Sequence, residues 1–173
     1  MTPLPFGTGR LRQPDARSCG PSCLVVARML RDPAYADAHL PDFAAEVLAT
    51  HEAVVGWWPR ALGTPPWALA AHLVGGPHTW RRAGAASYDL ILTTLASGSP
   101  VALYVGDRWL PRHVVLPLEL RDGVLCVYDP ARGTLVVLTR DDLTRQRLPF
   151  GRWRRAWFVV SPRAPRRARR SPA

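Results

Sequence analysis

The apolar positions along the first hundred residues recur at helical spacing. From Cys19 to about Arg31 they fall at 23, 24, 26, 27 and 30, one face of a helix, with Pro21 inside the first turn where its missing N–H costs nothing. Asp32-Pro33 stops that helix. LPDFAAEVLATHEA, 40–53, predicts a second helix with Pro41 and Asp42 near its start. TPPWALAAHLVGG, 64–76, predicts a third that ends at Gly75 and Gly76, and SYDLILTTLASG, 87–98, a fourth capped by Ser87 and closed by Gly98.

After Pro100 the period changes. VALYV, HVVLPLEL, GVLCVYD, TLVVL and AWFVV are short β-branched or aromatic runs set apart by Asp-Gly and Pro-Ala-Arg-Gly turns. RDDLTRQR, 140–147, predicts a short helix between the last two strands. Helices first and strands afterwards predict an α+β fold in which the helices pack on one side of an antiparallel sheet. Residues 1–12, rich in proline and glycine, read as an extended arm. Residues 1–161 then form a single domain, and 162–173, proline-broken and arginine-rich, read as a disordered tail.

Composition narrows the class. At 173 residues the chain has the length for one domain with a real core, and 47% hydrophobic residues is ordinary for a globular protein. The longest apolar runs are strand-length, far below the ~20 residues that cross a bilayer, so no membrane insertion is expected. All 23 basic residues are arginine, and the net charge is +10. Five of those arginines lie in the last eleven residues, so half of the surplus belongs to the tail; nucleic acid is not an expected partner of the body, although the tail could contact phosphates. Three cysteines cannot pair completely, and MTPLPFGTGRLRQ has no apolar core of export length; both favour a reduced, cytoplasmic setting.

Two of the three cysteines sit in Ser18-Cys19-Gly20-Pro21-Ser22-Cys23. A cysteine attacks as thiolate, and a helix N-terminus and a neighbouring imidazole both stabilise that anion. Cys19 stands where the first helix begins. Gly20 allows close approach of a substrate backbone and Pro21 fixes the turn, so the Cys19 N–H can supply half of an oxyanion hole. The other half calls for a neutral amide, and Gln13 lies six residues upstream. Of five histidines, His113 alone opens a strand-like run, and the following strand ends in Tyr128-Asp129-Pro130, sixteen residues on. A hairpin through Arg121-Asp122-Gly123 with nearly equal arms makes His113 and Asp129 neighbours, so that Asp129 orients the imidazole.

These residues resemble the C39-like branch of the papain-like cysteine peptidases: Gln13, then Cys19-Gly20-Pro21 opening a helix, GSPVALYV before the strand with His113, and YDPARG holding Asp129, over residues 12–160. The resemblance implies a thiol hydrolase with a helical half, an antiparallel sheet half and a cleft between them, acting on a peptide or protein substrate without cofactor or metal. Family members with known roles cut leader peptides after small residues, often Gly-Gly, and many are fused to export transporters. Arg112 departs from the pattern, standing where a small residue usually precedes the histidine and either crowding the cleft or binding an acidic substrate. WWPRALGTPPW, 57–67, is unusually rich in tryptophan.

The same residues admit other uses. An amine acceptor in place of water would make the constellation an acyltransferase or transglutaminase-like enzyme, and a catalytically silent peptide-binding module could keep the fold. Cys19, Cys23, Cys126 and His113 could ligate zinc, but structural zinc brings paired short-spaced knuckles and only one pair is present. Cys23 and Cys126 read as core, and His39, His51, His72 and His78 as solvated or capping residues. Trp57, Trp58, Trp67 and Trp80 are candidates for either a core edge or a groove wall.

Overall fold

The computed structural model describes residues 4–163, the Arg60 side chain excepted. The first helix, α1, spans Cys19–Arg31 and is followed at once by α2, Pro33–His39. Asp32 ends one and starts the other: its N–H donates to Arg28 O, and its carboxylate accepts the Tyr35 N–H at 3.0 Å. Pro33 therefore stops α1 as expected and also opens α2, where proline at the first position is well tolerated. Next come α3, Phe43–Val55, and α4, Pro66–His72.

The third helix was expected to run on to 76, but it ends at His72, and Gly75 and Gly76 turn at positive φ into a strand that the sequence pattern did not announce: β1, His78–Arg82. Helix α5, Ser87–Ala96, follows, with Ala86 rather than Ser87 at the cap position; the Ser87 hydroxyl instead accepts the Gly84 N–H at 2.8 Å. The remaining elements are β2, Ala102–Gly106, β3, Pro111–Arg121, β4, Val124–Asp129, β5, Thr134–Leu138, α6, Arg140–Thr144, and β6, Arg155–Pro162. A reciprocal cap between Thr139 and Asp142 starts α6.

All strand pairs are antiparallel, in the order β1-β6-β2-β3-β4-β5. Both faces of the sheet are covered, which corrects the expectation of helices on one side. Alternate residues of one strand serve opposite cores: Ala102 and Tyr104 of β2 join the core beneath α1–α4, while Leu103 and Val105 join Ile91 of α5 and Leu143 of α6. A strand buried on both faces reads as an unbroken apolar run, the texture of VALYV. Pro162 pairs with His78 and the Arg163 N–H donates to Pro77 O, so the ordered chain enters the segment expected as tail; residues 164–173 lie outside the described residues.

The N-terminal arm is pinned to the sheet. Leu11 is fully buried, its carbonyl accepts the Tyr128 hydroxyl at 2.5 Å, and the Gly7 N–H donates to Gly133 O at 3.0 Å. Gly133, at φ 67°, permits this approach, because a Cβ there would lie 2.8 Å from Arg12 N.

Candidate active site

Cys19 is the first residue of α1 and is 6% exposed. The loop before it is tightly wound: Asp15 O accepts both the Ser18 hydroxyl (3.2 Å) and the Gln13 side-chain amide (2.6 Å), and the Asp15 carboxylate accepts the Arg17 N–H at 2.8 Å. One turn on, Cys23 is fully buried and its thiol donates to Val114 O at 3.6 Å. Burial first, then the negative charges of Cys19 and Asp129, push the Cys23 thiol well above its ordinary pKa. Cys23 therefore stays protonated and packed, as the sequence indicated.

His113 and Asp129 meet from adjacent strands. The pairing of Leu116 with Tyr128 makes Val115 the next residue across from Asp129, so His113 is the diagonal neighbour of Asp129. The unequal hairpin arms are reconciled by a bulge between Pro117 and Glu119. His113 Nε2–H donates to Asp129 Oδ1 at 2.7 Å, and the same oxygen accepts the Ala131 N–H at 3.0 Å. Both side chains are about 2% exposed. Arg132, half-exposed, brings its Nε within 3.6 Å of Asp129 Oδ2.

Burial opposes charge on His113, but its hydrogen bond to Asp129 and the influence of Cys19 overcome it and raise the imidazole pKa from 6.5 to about 9. With Nε2 held by Asp129, the ring nitrogen left for Cys19 is Nδ1. Cys19 and His113 line the same cleft, with Asp129 behind the ring.

One participant left no mark in the sequence. Trp153 lies on the His113 ring, centroids 4.3 Å apart and planes inclined by 22°, shielding the His113–Asp129 bond from water. A stacking residue on a loop ahead of β6 has no spacing rule that could have revealed it.

Cys19, His113 and Trp153 border a cleft of about 760 Å³ between the helical half and the sheet, and Asp129 lies behind His113, off the cleft. Its helical wall carries Trp58, Thr64 and Trp67, and its sheet wall Trp80, Tyr104 and Phe158. The Tyr104 hydroxyl donates to Thr64 O at 2.8 Å, tying the two walls together. Trp58, Trp67 and Trp80 are thus cleft residues, whereas Trp57 is 87% exposed and does not line it. Arg112 turns toward Asp107, its Nε 3.4 Å from Oδ2. Asp107 in turn accepts the Trp109 and Leu110 N–H groups, which shapes the loop leading into β3.

Gln13 is not among the cleft-lining residues. Its N–H donates to Pro130 O at 2.9 Å, which places it between the loops that carry Cys19 and Asp129, and its buried Oε1 has no hydrogen-bond partner. Among the remaining histidines, His51 and His78 are buried, which corrects the solvated reading for both, and His78 Nδ1 lies 2.8 Å from Gly76 O. Among the described residues no three of His, Cys, Asp and Glu gather as a metal site, and no helix is long and apolar enough to cross a membrane.

No protein-family model matches the sequence, and no curated protein matches it. Among solved structures, the chain is similar to the peptidase domain of Streptococcus ComA, a bifunctional ABC transporter involved in a quorum-sensing pathway. The TM-score is 0.54 at 14% identity, over 88% of this chain and 96% of that one. At that identity the likeness establishes the fold: N-terminal helices followed by a six-stranded antiparallel sheet, the architecture of a C39 papain-like cysteine peptidase domain.

Proposed function

We propose that the protein is a thiol-dependent hydrolase, a C39-like cysteine peptidase that cleaves a peptide bond through Cys19, His113 and Asp129. The observation that carries this reading is the buried His113, held at Nε2 by Asp129 and coupled to the Cys19 sulfur at the head of α1. An imidazole raised to about 9 is an imidazolium at neutral pH, and an imidazolium beside a thiol favours the thiolate.

The Cys19 thiolate attacks the carbonyl carbon. The negative oxygen of the tetrahedral intermediate is held by the Cys19 N–H, and the Gln13 amide, which gives one N–H to Asp15 O and does not line the cleft, must turn its second N–H toward it. His113 passes its Nδ1 proton to the leaving amine, the C–N bond breaks, and an acyl-thioester remains on Cys19. His113 then takes a proton from water, the hydroxide attacks the thioester, and the acid product leaves with the thiol restored. Asp129 keeps the ring oriented throughout and stabilises its cationic form.

The test is the pH dependence of covalent labelling. Cys19 should react with iodoacetamide below pH 7 faster than a free thiol does, and both Cys19→Ala and His113→Ala should abolish labelling by an electrophilic peptide. A rate equal to that of a free thiol would identify a silent binding module instead. Partition of the acyl group to an added amine would move the reading to acyl transfer.

A further inference from the structure

The charges around the cleft are unevenly matched. Three arginines line it, each placed by a member of the site: Arg17 two residues before Cys19, Arg112 directly before His113, and Arg152 directly before Trp153. The single acid among the lining residues is Asp107, and it pairs with Arg112 at 3.4 Å. Arg152 lies 5.5 Å from the Trp153 ring, and Arg17 meets Asp15 only through its backbone N–H. Among the described residues neither guanidinium is within ion-pair distance of a carboxylate. The walls between them are apolar and aromatic, with Trp58, Trp67, Trp80 and Phe158 facing the same space. Low-dielectric walls focus a field of one sign and concentrate ligands of the opposite sign.

We infer that this cleft selects peptides with acidic side chains close to the bond presented to Cys19, with Arg17 and Arg152 as the selecting residues. The inference rests on the cleft being the peptide site of the proposed hydrolase. Arginine suits the task because its planar fork meets a carboxylate through two N–H groups at once and remains charged at any working pH. Arg112 is already matched by Asp107 and adds little to the selection, so the surplus is two positive charges flanking the sulfur and imidazole.

The experiment measures binding, so that it stands apart from catalysis. Cys19→Ala protein is titrated, by fluorescence anisotropy at about 20 mM salt, with two fluorescein-labelled decapeptides, one alternating alanine with glutamate and the other alanine with glutamine. The acidic peptide should bind at least about fivefold tighter, the scale of two partly exposed ion pairs, and the difference should shrink at 0.5 M salt. Because the chain carries +10 overall, the control is a change of equal charge far from the cleft. Arg17→Glu with Arg152→Glu should reverse the preference, whereas Arg31→Glu with Arg121→Glu, at the ends of α1 and β3 remote from Cys19 and His113, should keep it. Circular dichroism confirms that both variants are folded. Equal binding of the two peptides, or equal loss of preference in both double variants, overturns the inference. Failure of the hydrolase reading shows separately, as Cys19 in the wild-type protein reacting no faster than a free thiol.

Discussion

Replacing Asp129 tests the reasoning about the site most directly, because one carboxylate is asked to keep a buried imidazole charged. The His113 pKa is raised from 6.5 to about 9 against the pull of burial, and the Asp129 hydrogen bond is the largest of the raising effects. That net rise corresponds to roughly 3 kcal/mol favouring the imidazolium, so Asp129 and Cys19 together supply more than this, enough to offset burial as well. In Asp129→Asn an amide oxygen can still accept from Nε2, but a neutral acceptor is worth about half a charged one, so the pKa should fall by roughly one unit. In Asp129→Ala no acceptor remains, burial dominates, and the value should approach or pass below 6.5.

The assay is the upper limb of the kcat/KM profile against a peptide substrate, read beside a nitrogen-15 NMR titration of His113. Activity should be lost near pH 9 in the wild type, about one unit lower in Asp129→Asn, and near neutrality in Asp129→Ala. Stability follows the same sign. A folded-state pKa raised above the unfolded value contributes stability that is fully present below about 6.5 and lost as pH rises through about 9. The wild type should therefore lose stability to urea over that window, and Asp129→Ala should lose less of it. An upper limb that stays at pH 9 in both variants would show that Asp129 does not set the charge of His113.

Gln13→Ala should lower kcat roughly 100-fold, the scale of one lost oxyanion donor, with labelling of Cys19 by iodoacetamide retained. Cys23→Ala should keep labelling as well and cost about 1 kcal/mol in urea denaturation, from the small void and the lost bond to Val114 O. Gly106→Ala should cost more than about 3 kcal/mol by thermal melt, because a Cβ there would fall 2.0 Å from Leu110 O, a backbone atom that cannot step aside.

The legible parts of the fold are those whose burial is written in apolar residues. Helices α1, α3 and α5 bury faces that recur at helical period, and strands β2 to β6 lie in short apolar runs, so the pattern announces each of them. Strand β1 escaped because only His78 of its five residues is buried; HTWRR becomes a strand through its pairing with β6, a fact about distant chain. Helix α2 escaped for a similar reason, burying just Tyr35 and Ala36 and resting on the Asp32 cap. The two-sided burial of the sheet was written in VALYV, whose even and odd positions are both apolar.

At the site, His113 and Asp129 were legible because a hairpin is an arithmetic object: turn position and arm length fix who meets whom. Gln13 shows the limit of spacing. Six residues from Cys19 put it in the right loop, but a loop carbonyl, Asp15 O, competes for its amide, and only the fold reveals that competition.

The elements that carry the sulfur and the imidazole touch at a contact beside them. Cys23 is one helical turn from Cys19, and Val114 is one strand residue from His113; the bond from Cys23 Sγ to Val114 O joins these two neighbours at 3.6 Å. From that anchor the helix rises about 6 Å back to its first residue, while the strand steps about 3.4 Å back to the histidine. The small, buried, unreactive thiol thus fills the seam between α1 and β3 beside the two groups on which the proposed chemistry depends. That gives a physical reason for the second cysteine of SCGPSC: it needs to be small, apolar and protonated, and burial that raises its pKa keeps it so.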